Sequence, residues 1–308
     1  MKKIISGLIV LMLLFTMAGC GNDPEVLPQE APSQDQPSEK VVQEGSLRII
    51  SLSPSQTENL YALGLGEQII GVSDYCDYPA EALTKEKMGS SWTINLERIL
   101  EVEPDIVFIY SGGQPEAVEQ MKAVGIQVVD FTPNSIDEVF ASILETGEIT
   151  NRVEEARQVV EELEAEKELI LSTVKDLPRV PVFYQVWDEP LQTAGPGSFI
   201  HELIQLAGGE NIAGDTDTEY PMYSVEALVE KNPEIYFMPP HVANFEEMSE
   251  EVAETYREGV RNRPGYDQIK AIQNNRIELM EPNIASRPGV RIIQGLRMFA
   301  EAIHPEVF

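Results

Sequence analysis

The sequence predicts an α/β protein of two lobes, each built on a mostly parallel sheet, joined by a single long α-helix. Three observations predict this fold: strand and helix patterns alternate along the chain, one long helical pattern lies in the middle, and its two flanks repeat each other. Alternating strands and helices are typical of parallel sheets covered by helices. We therefore expect lobes at residues 47–150 and 178–308, with a connecting helix at 151–177.

The repeat consists of a short helix, a proline and a buried strand. Residues 95–109 read NLERILEVEPDIVFI, and residues 224–238 read SVEALVEKNPEIYFM in the same register. A repeat that occurs once on each side of a helix indicates two similar lobes rather than a solenoid. Glu97 and Glu226 hold the same place in the two copies, in a first helical turn where the helix dipole favours a carboxylate.

The connecting helix is predicted by an uninterrupted run of good helix formers that ends at Pro178. Asn151 and Glu154 fit a capping box at its start. Apolar residues recur at helical spacing on one face, namely Val153, Ala156, Val160, Leu163, Ile170 and Val174. A coiled-coil arm is the alternative reading of so long a helix. The flanking repeat favours a strut between lobes.

Composition narrows the class of protein. The 308 residues contain 22 Lys and Arg against 52 Asp and Glu, a formal net charge of -30. Nucleic-acid binding requires basic surface, so we exclude that class of partner. The only cysteines are Cys20 and Cys76, which leaves no disulfide framework if Cys20 is modified.

The N-terminal segment predicts export and anchoring. A basic start, an apolar run and small residues before Cys20 resemble the bacterial lipoprotein signal, in which the chain is cut before a lipidated cysteine. Residues 1–19 are then a signal peptide, and the Pro- and Gln-rich residues 20–46 form a disordered tether. The folded part is expected on the outer face of the cytoplasmic membrane. A plain secretory signal is the alternative.

In the first lobe the pattern predicts strands at 48–52, 68–72, 106–110 and 127–130. Helices are predicted at 95–102 and 116–124, after a capping box at Ser55 with Glu58, and after another at Ser135 with Glu138. Three aromatic residues follow or end strands: Tyr75, Trp92 and Tyr110. One aromatic residue alone is usually core, but three at the carboxyl edge of a parallel sheet indicate an aromatic pocket.

In the second lobe we expect strands at 181–187, 235–238 and 276–280. Helices are predicted from Ser198 to 206, at 245–259, at 267–272 and at 292–303, and residues 283–289 are predicted as a loop. Gly195-Pro-Gly197 lacks the third small residue of the dinucleotide-binding pattern, so it is a weak signal for such a site.

These segments together resemble a known family. The residues that carry the resemblance are 48–58, 73–79, 95–97 with 104–106, 208–212 and 286–289. They are similar to the solute-binding proteins of ABC importers for cobalamin, siderophores and haem, most of all to the cobalamin-binding branch. The resemblance implies two Rossmann-like lobes, a ligand in the cleft between them, delivery to a permease dimer, and a monomer.

The resemblance also implies roles for individual residues. Positions that would contact the ligand are Tyr75, Trp92, Tyr110, Trp187, Tyr220, Asn283 and Arg287. Glu97 and Glu226 match the acids with which the family docks on its permease. The chain departs from the cobalamin branch in three places: Tyr110 replaces a more usual Trp, the aromatic residue expected near Gln192 is missing although Trp187 is close by, and Asn283 replaces an acid.

Other functions fit the sequence less well. The chain has no nucleophile elbow and no phosphate-binding loop, and His201, His241 and His304 are scattered singly, so we expect neither a catalytic nor a metal site. We expect no cofactor other than the transported ligand. A corrinoid is the first hypothesis and a ferric siderophore or haem the second. An enzyme acting on a metal chelate and an adhesin without a small ligand are the remaining classes.

Overall fold

The structure is a computed structural model in which residues 47–242 and 244–308 are described. The predicted signal segment 1–19, the lipidation site Cys20 and the predicted tether 20–46 lie outside the described residues.

Parallel strands and helices alternate through this part of the chain. The strands are β1 (Ile49–Ser51), β2 (Ile69–Val72), β3 (Glu86–Lys87), β4 (Gly89–Ser90), β5 (Thr93–Ile94), β6 (Ile106–Ile109), β7 (Gln127–Asp130), β8 (Val180–Asp188), β9 (Leu191–Thr193), β10 (Gly209–Asn211), β11 (Ile235–Met238) and β12 (Ile277–Leu279). The helices are α1 (Pro54–Ala62), α2 (Leu96–Glu101), α3 (Pro115–Ala123), α4 (Ile136–Thr150), α5 (Val153–Val174), α6 (Phe199–Leu206), α7 (Val225–Lys231), α8 (Glu250–Arg261), α9 (Lys270–Gln273), α10 (Pro282–Ser286) and α11 (Ile292–Ile303).

The first sheet has the strand order β3-β2-β1-β6-β7, and every pairing in it is parallel. The chain builds outward from β1 on one side and returns to start β6 on the other, with Ile50 of β1 paired with Val107 of β6. Such a reversal opens a crevice beyond the carboxyl ends of the two central strands, where ligands of open α/β sheets bind.

The second sheet has the order β10-β8-β11-β12 with parallel pairing, and β9 pairs with β8 in antiparallel orientation. Strand β10 and the hairpin strand β9 are additions that the sequence pattern did not predict. Their short, polar segments carry no hydrophobic alternation. The two mostly parallel sheets on either side of α5 confirm the predicted fold class, while the lobe limits 47–150 and 178–308 stay a prediction.

The predicted repeat is visible in backbone detail. Asn95 accepts a hydrogen bond from the amide of Arg98 at the start of α2, as Ser224 does from the amide of Ala227 at the start of α7. After each helix one residue takes a left-handed conformation, Glu103 with φ 46° and its counterpart Asn232 with φ 50°. The strands that follow, β6 and β11, pair with β1 and β8.

The connecting helix α5 has 22 residues and spans about 33 Å at 1.5 Å per residue. It begins at Val153, so the predicted capping box at Asn151 is wrong. Asn151 instead ends the preceding helix α4 in a left-handed conformation with φ 57°, a role that asparagine also favours. Glu154 forms an exposed ion pair with Arg157.

One hydrophobic core connects the sheets. It contains Ile49 and Phe108 from the first sheet, Tyr184 and Phe237 from the second, and Ile170 from the buried face of α5. The opposite faces of the sheets are covered as well, by separate clusters that include Val107 and Phe183. Both sheets and α5 belong to one compact unit.

Three further predictions differ from the structure. Ser53, rather than Ser55, caps α1, because Pro54 occupies the first helical turn. Helix α8 begins at Glu250, after the capping residue Ser249, and not at residue 245. Residues 282–286 form the short helix α10 where a loop was predicted, with Glu281 as its cap.

Candidate ligand-binding site

An open pocket of about 170 Å³ lies at the carboxyl edge of the first sheet. Its lining residues are Leu52, Ser53, Pro54, Ser55, Ser73, Tyr75, Ser90, Ser91, Trp92, Tyr110, Ser286, Arg287 and Pro288. They come from the loops after β1, β2 and β6, from the β4–β5 hairpin, and from the segment that follows β12 in the second sheet. The pocket is therefore formed by residues from both sides of α5, at the place that the strand order indicates.

The structure brings together four of the seven predicted contact residues in this pocket: Tyr75, Trp92, Tyr110 and Arg287. Tyr75 is 64% exposed and Trp92 is 61% exposed. Large aromatic side chains with so much surface in solvent, grouped on one pocket wall, are typical of a binding surface rather than of a core.

Buried serines hold the backbone of these aromatic residues. The hydroxyl of Ser73 accepts the amide N–H of Tyr75 at 3.0 Å, and the hydroxyl of Ser91 accepts that of Tyr110 at 3.0 Å. Ser90 accepts the amide N–H of Trp92 at 3.3 Å. Sequence reasoning missed these serines, although a serine two positions before an aromatic residue occurs at both 73–75 and 90–92.

Tyr220 lies on the side of the second sheet and is 38% exposed. Burial raises the pKa of its hydroxyl, and the charges of Tyr110 and Glu219 raise it further. Burial likewise raises the pKa of Tyr110, with added effects of Glu219 and Asp130. Because the charge of Tyr110 contributes to the raised pKa of Tyr220, we infer that the two side chains lie near each other, although Tyr220 is outside the pocket lining. The loop of Tyr220 is held by the side-chain amide of Gln192, which donates to the Tyr220 carbonyl at 2.9 Å.

Trp187 and Asn283 are not among the lining residues. Trp187 is 49% exposed, donates its indole N–H to the Glu189 carbonyl at 3.1 Å, and lies edge-on to His241. Asn283 donates to Asp77 at 3.4 Å. A ligand larger than the pocket would have to extend beyond it to reach Trp187 or Asn283.

Arg287 lines the pocket, but its guanidinium is already hydrogen-bonded to other residues of the protein. One terminal nitrogen donates to Asp77 at 2.5 Å and to Glu58 at 3.2 Å. The other donates to Asp77 at 3.1 Å and to the Tyr75 carbonyl at 3.3 Å. Burial opposes the charge of Arg287, but the two carboxylates outweigh it and raise the guanidinium pKa above its ordinary value.

Glu58 is the buried centre of this ionic network, which corrects its predicted role as a capping-box partner. Its side chain is 1% exposed and accepts two hydrogen bonds from Arg291, at 2.6 and 2.8 Å. Glu58 lies on α1 and Arg291 lies just before α11. The pair therefore links a helix that follows the first sheet's β1 to the start of the final helix, 233 residues further along the chain. The Arg291 guanidinium also lies over the ring of Tyr78, 4.1 Å from its centroid.

Glu97 and Glu226 lie in the first turns of α2 and α7, both exposed, and away from the pocket lining. Neither forms an ion pair with another described residue. The structure thus shows two equivalent, solvated acids, and their docking role stays a proposal.

Within the described residues no group of three or more His, Cys, Asp and Glu side chains is placed to hold a metal ion. Nor does any helix there have the length and apolar character needed to cross a membrane. Each of the three histidines has a different neighbour: His201 contacts Asn211, His241 lies beside Trp187, and His304 contacts Glu306. Cys76 is buried, with its sulfur 3.0 Å from the Thr57 hydroxyl.

Comparison with known proteins gives consistent matches over the folded part. The model of the family described as periplasmic binding protein matches residues 49–283. The ABC transporter substrate-binding lipoprotein YvrC of Bacillus subtilis is 28% identical, over 97% of this chain and 96% of its own. A vitamin B12-binding protein of Vibrio cholerae is 28% identical over 81% of this chain and 86% of its own.

Solved structures agree with this. A possible iron-binding, periplasmic solute-binding protein of Staphylococcus epidermidis is 31% identical with a TM-score of 0.72, covering 83% of this chain and 98% of its own. The family match, the two mostly parallel sheets and the pocket at their edge lead to one assignment. The chain belongs to the periplasmic binding protein family, and it is an extracytoplasmic solute-binding protein of the kind that serves ABC importers rather than an enzyme.

Proposed function

We propose that the protein captures a cobalamin-type corrinoid in the cleft between its lobes and delivers it to an ABC importer. The observation that carries the proposal is the meeting of Tyr75, Trp92 and Tyr110 on one pocket wall, with most of the Tyr75 and Trp92 side chains open to solvent. Aromatic faces offer large contact area at a small loss of side-chain freedom, which suits a flat and rigid macrocycle. The chelate is cargo, and no resident cofactor is part of the proposal.

The size of the pocket supports a ligand that is only partly enclosed. A volume of about 170 Å³ is too small to enclose a corrinoid. A macrocycle would therefore lie over the pocket mouth, with one face on Tyr75 and Trp92 and its far edge towards Tyr220. Six of the lining residues are serines, but five of them are buried, and Ser73, Ser90 and Ser91 already accept backbone N–H groups. Their part in binding is therefore to hold the aromatic residues in place beneath the ligand.

Relatives support both a corrinoid and an alternative. The Vibrio cholerae relative is a vitamin B12-binding protein, and it matches most of this chain. The Staphylococcus epidermidis structure carries the description of a possible iron-binding protein at a similar level of identity. A ferric siderophore or haem is accordingly the second candidate, and it would use the same aromatic wall.

We further propose that Cys20 is lipidated and anchors the protein to the outer face of the cytoplasmic membrane, as a monomer. The support is the lipoprotein-like sequence before Cys20 and the lipoprotein name of the Bacillus subtilis relative. Cys20→Ala should move the protein from the membrane fraction to the soluble fraction, because no acyl chain can then be attached. Retention of the Cys20→Ala variant in membranes would contradict the anchor.

Native mass spectrometry of the full-length protein in detergent tests the ligand directly. The panel contains cyanocobalamin, cobinamide, haem and ferric siderophores of different charge. We expect one-to-one complexes with the two corrinoids. A complex with haem or a siderophore alone would favour the second candidate, and turnover of any bound chelate would favour an enzyme. No complex with any of them would contradict the proposed function.

A further inference from the structure

Arg287 is the one charged residue among those that line the pocket, and its charge is already balanced. Its terminal nitrogens make four contacts, two of them with Asp77, one with Glu58 and one with the Tyr75 carbonyl. An arginine has five N–H donors, and the terminal nitrogens carry four of them. An anionic group of a ligand would have to displace Asp77 before it could form a bidentate pair with Arg287.

The charges that are hydrogen-bonded in one network with Arg287 sum to zero, and Glu281 adds a further negative charge near Arg291. Two acids, Glu58 and Asp77, face two arginines, Arg287 and Arg291, in one connected network. Glu58 is held tightly by Arg291, with which it makes two hydrogen bonds, and its contact with Arg287 is the longer one. Whether the charge of Arg287 is neutralised therefore depends on Asp77, its half-exposed partner.

Uncompensated charge near the pocket is negative. Glu219 and Asp130 form no ion pair with another described residue, and the charge of each raises the pKa of Tyr110 in the pocket lining. Glu219 acts on Tyr220 in the same way. The net charge of the whole chain has the same sign, -30. An anionic ligand would approach against this field and find no free cation among the lining residues.

We propose that Asp77 is a specificity-determining residue: by neutralising Arg287 it makes the cleft accept uncharged or cationic chelates and reject anionic ones. This inference rests on the proposed function, since it concerns the charge of the ligand at the same site. It excludes chelates with free carboxylates or catecholates and retains corrinoids whose side chains are amides. Asp77 also helps to position Tyr75, because Asp77 holds the Arg287 guanidinium and that guanidinium donates a hydrogen bond to the Tyr75 carbonyl.

A matched pair of ligands tests the proposal: cyanocobalamin and its monocarboxylic acid derivative, in which one side-chain amide has been hydrolysed. The two have the same shape and differ by one negative charge. With the full-length protein in detergent at low salt, the carboxylate should bind about fivefold more weakly than the amide. Added salt should reduce that ratio, because it screens the field.

Two variants should change the ratio in opposite directions. Asp77→Asn leaves the network with one net positive charge, so the carboxylate should regain about fivefold relative to the amide. Arg287→Gln leaves one net negative charge, so the carboxylate should lose further relative to the amide. Loosening of the Tyr75 loop would weaken both ligands in both variants and would leave the ratio unchanged. Asp74→Asn is the control, because Asp74 is an exposed acid of the same loop without a contact to Arg287.

Each outcome has a distinct meaning. Equal or tighter binding of the carboxylate by the unmodified protein would overturn the charge specificity and leave corrinoid binding standing. An unchanged ratio in both variants would remove Asp77 and Arg287 from the specificity. Absence of binding of either corrinoid would contradict the proposed ligand, and the charge test would then use haem and haem dimethyl ester. Preference for the dianionic haem, or no binding of that pair, would overturn the inference as well.

Discussion

Tyr75 and Trp92 stay open to solvent because their backbones, rather than their rings, are fixed. Each amide N–H donates to the hydroxyl of a buried serine two positions earlier, Ser73 or Ser90. Neither aromatic ring must then pack into the core to hold its loop in place. A rigid backbone with an exposed ring is the arrangement that lets an aromatic side chain contribute most to ligand affinity.

Truncation of the aromatic residues should weaken corrinoid binding. Trp92→Ala and Tyr220→Ala should each reduce the binding free energy by roughly 1 to 3 kcal/mol, the range for residues that anchor a ligand. Isothermal titration calorimetry with cyanocobalamin measures the change in binding free energy. Phe308→Ala is the control, since Phe308 is also an exposed aromatic residue but lies against Arg297 at the C-terminus. Unchanged affinity in both cleft variants would place the site elsewhere.

At the scale of elements, the junction of α4 and α5 sets the direction of the connecting helix. Asn151 ends α4 in a left-handed conformation, and α5 starts at Val153 and packs back on α4. The two helices approach closely where Gly147 faces Ala156. A Cβ placed on Gly147 would lie 2.5 Å from the Cβ of Ala156 and 2.8 Å from the Arg152 carbonyl oxygen.

Gly147→Ala should destabilise the protein by about 1 to 3 kcal/mol, because both neighbours are backbone or short side chains that cannot move aside. Gly259→Ala in α8 is the matched control, since no atom lies within 4 Å of its added Cβ. There alanine should stabilise by about 0.5 to 1 kcal/mol, through helix propensity alone. Urea denaturation of both variants measures the difference. Equal effects of the two substitutions would contradict close packing at Gly147.

At the scale of the whole molecule, the lobes are joined by more than α5. The core that includes Phe108 and Tyr184 is continuous between the sheets. The Glu58–Arg291 pair crosses the same boundary, and the Asn59 side chain accepts the amide N–H of Val290 at 2.9 Å. Glu202 of α6 accepts the amide N–H of Ile136 at the start of α4, at 2.9 Å.

Ligand binding should therefore move the lobes little. Spin labels at Glu97→Cys and Glu226→Cys, in a chain with Cys20→Ser, report one distance across the lobes; Cys76 is buried and out of reach of the label. Double electron–electron resonance should show that the distance between the two labels changes by less than about 2 Å when cyanocobalamin is added. Such a small change is typical of pre-organised complexes. A larger change would mean that a hinge exists despite the shared core and the ionic link.

The repeat leads to a prediction about delivery. Glu97 and Glu226 occupy equivalent helix starts, and a permease dimer has two-fold symmetry, so matched acids could meet matched arginines, one on each subunit. Glu97→Ala with Glu226→Ala should abolish uptake while ligand affinity and thermal stability stay unchanged. Substitution by Arg should impair uptake more, through like-charge repulsion.

The control for docking uses acids of the same kind in other helices. Glu116 of α3 and Glu251 of α8 are exposed and lie in first helical turns. Glu116→Ala with Glu251→Ala removes the same charge and should leave uptake normal. Normal uptake by the Glu97 and Glu226 double variant would leave both residues as ordinary helix-start acids.

Local patterns were enough to predict much of this molecule. The alternation of strands and helices, the repeat and the apolar face of α5 are periodic features, and neighbours in sequence determine them. They predicted the two-sheet fold, the final helix Ile292–Ile303 without error, and the edge of the sheet at which Tyr75, Trp92 and Tyr110 meet. The capping errors arose where two local roles compete, as at Asn151, which suits a helix start or a helix end.

By itself, then, the sequence determined the order of elements, the two-fold repeat and which aromatic residues leave the sheet at its carboxyl edge. Only the tertiary structure decided the partners of the charged residues. Arg291 pairs with Glu58, which is 233 residues away in sequence, and Arg287 pairs with Asp77, which is 210 residues away. No local period encodes such a choice, because a charge is held by whichever opposite charge the packed chain places within hydrogen-bond distance after both have left water. Arg287 is part of the cleft by its position in sequence, but whether it offers a free charge to a ligand is decided by Asp77.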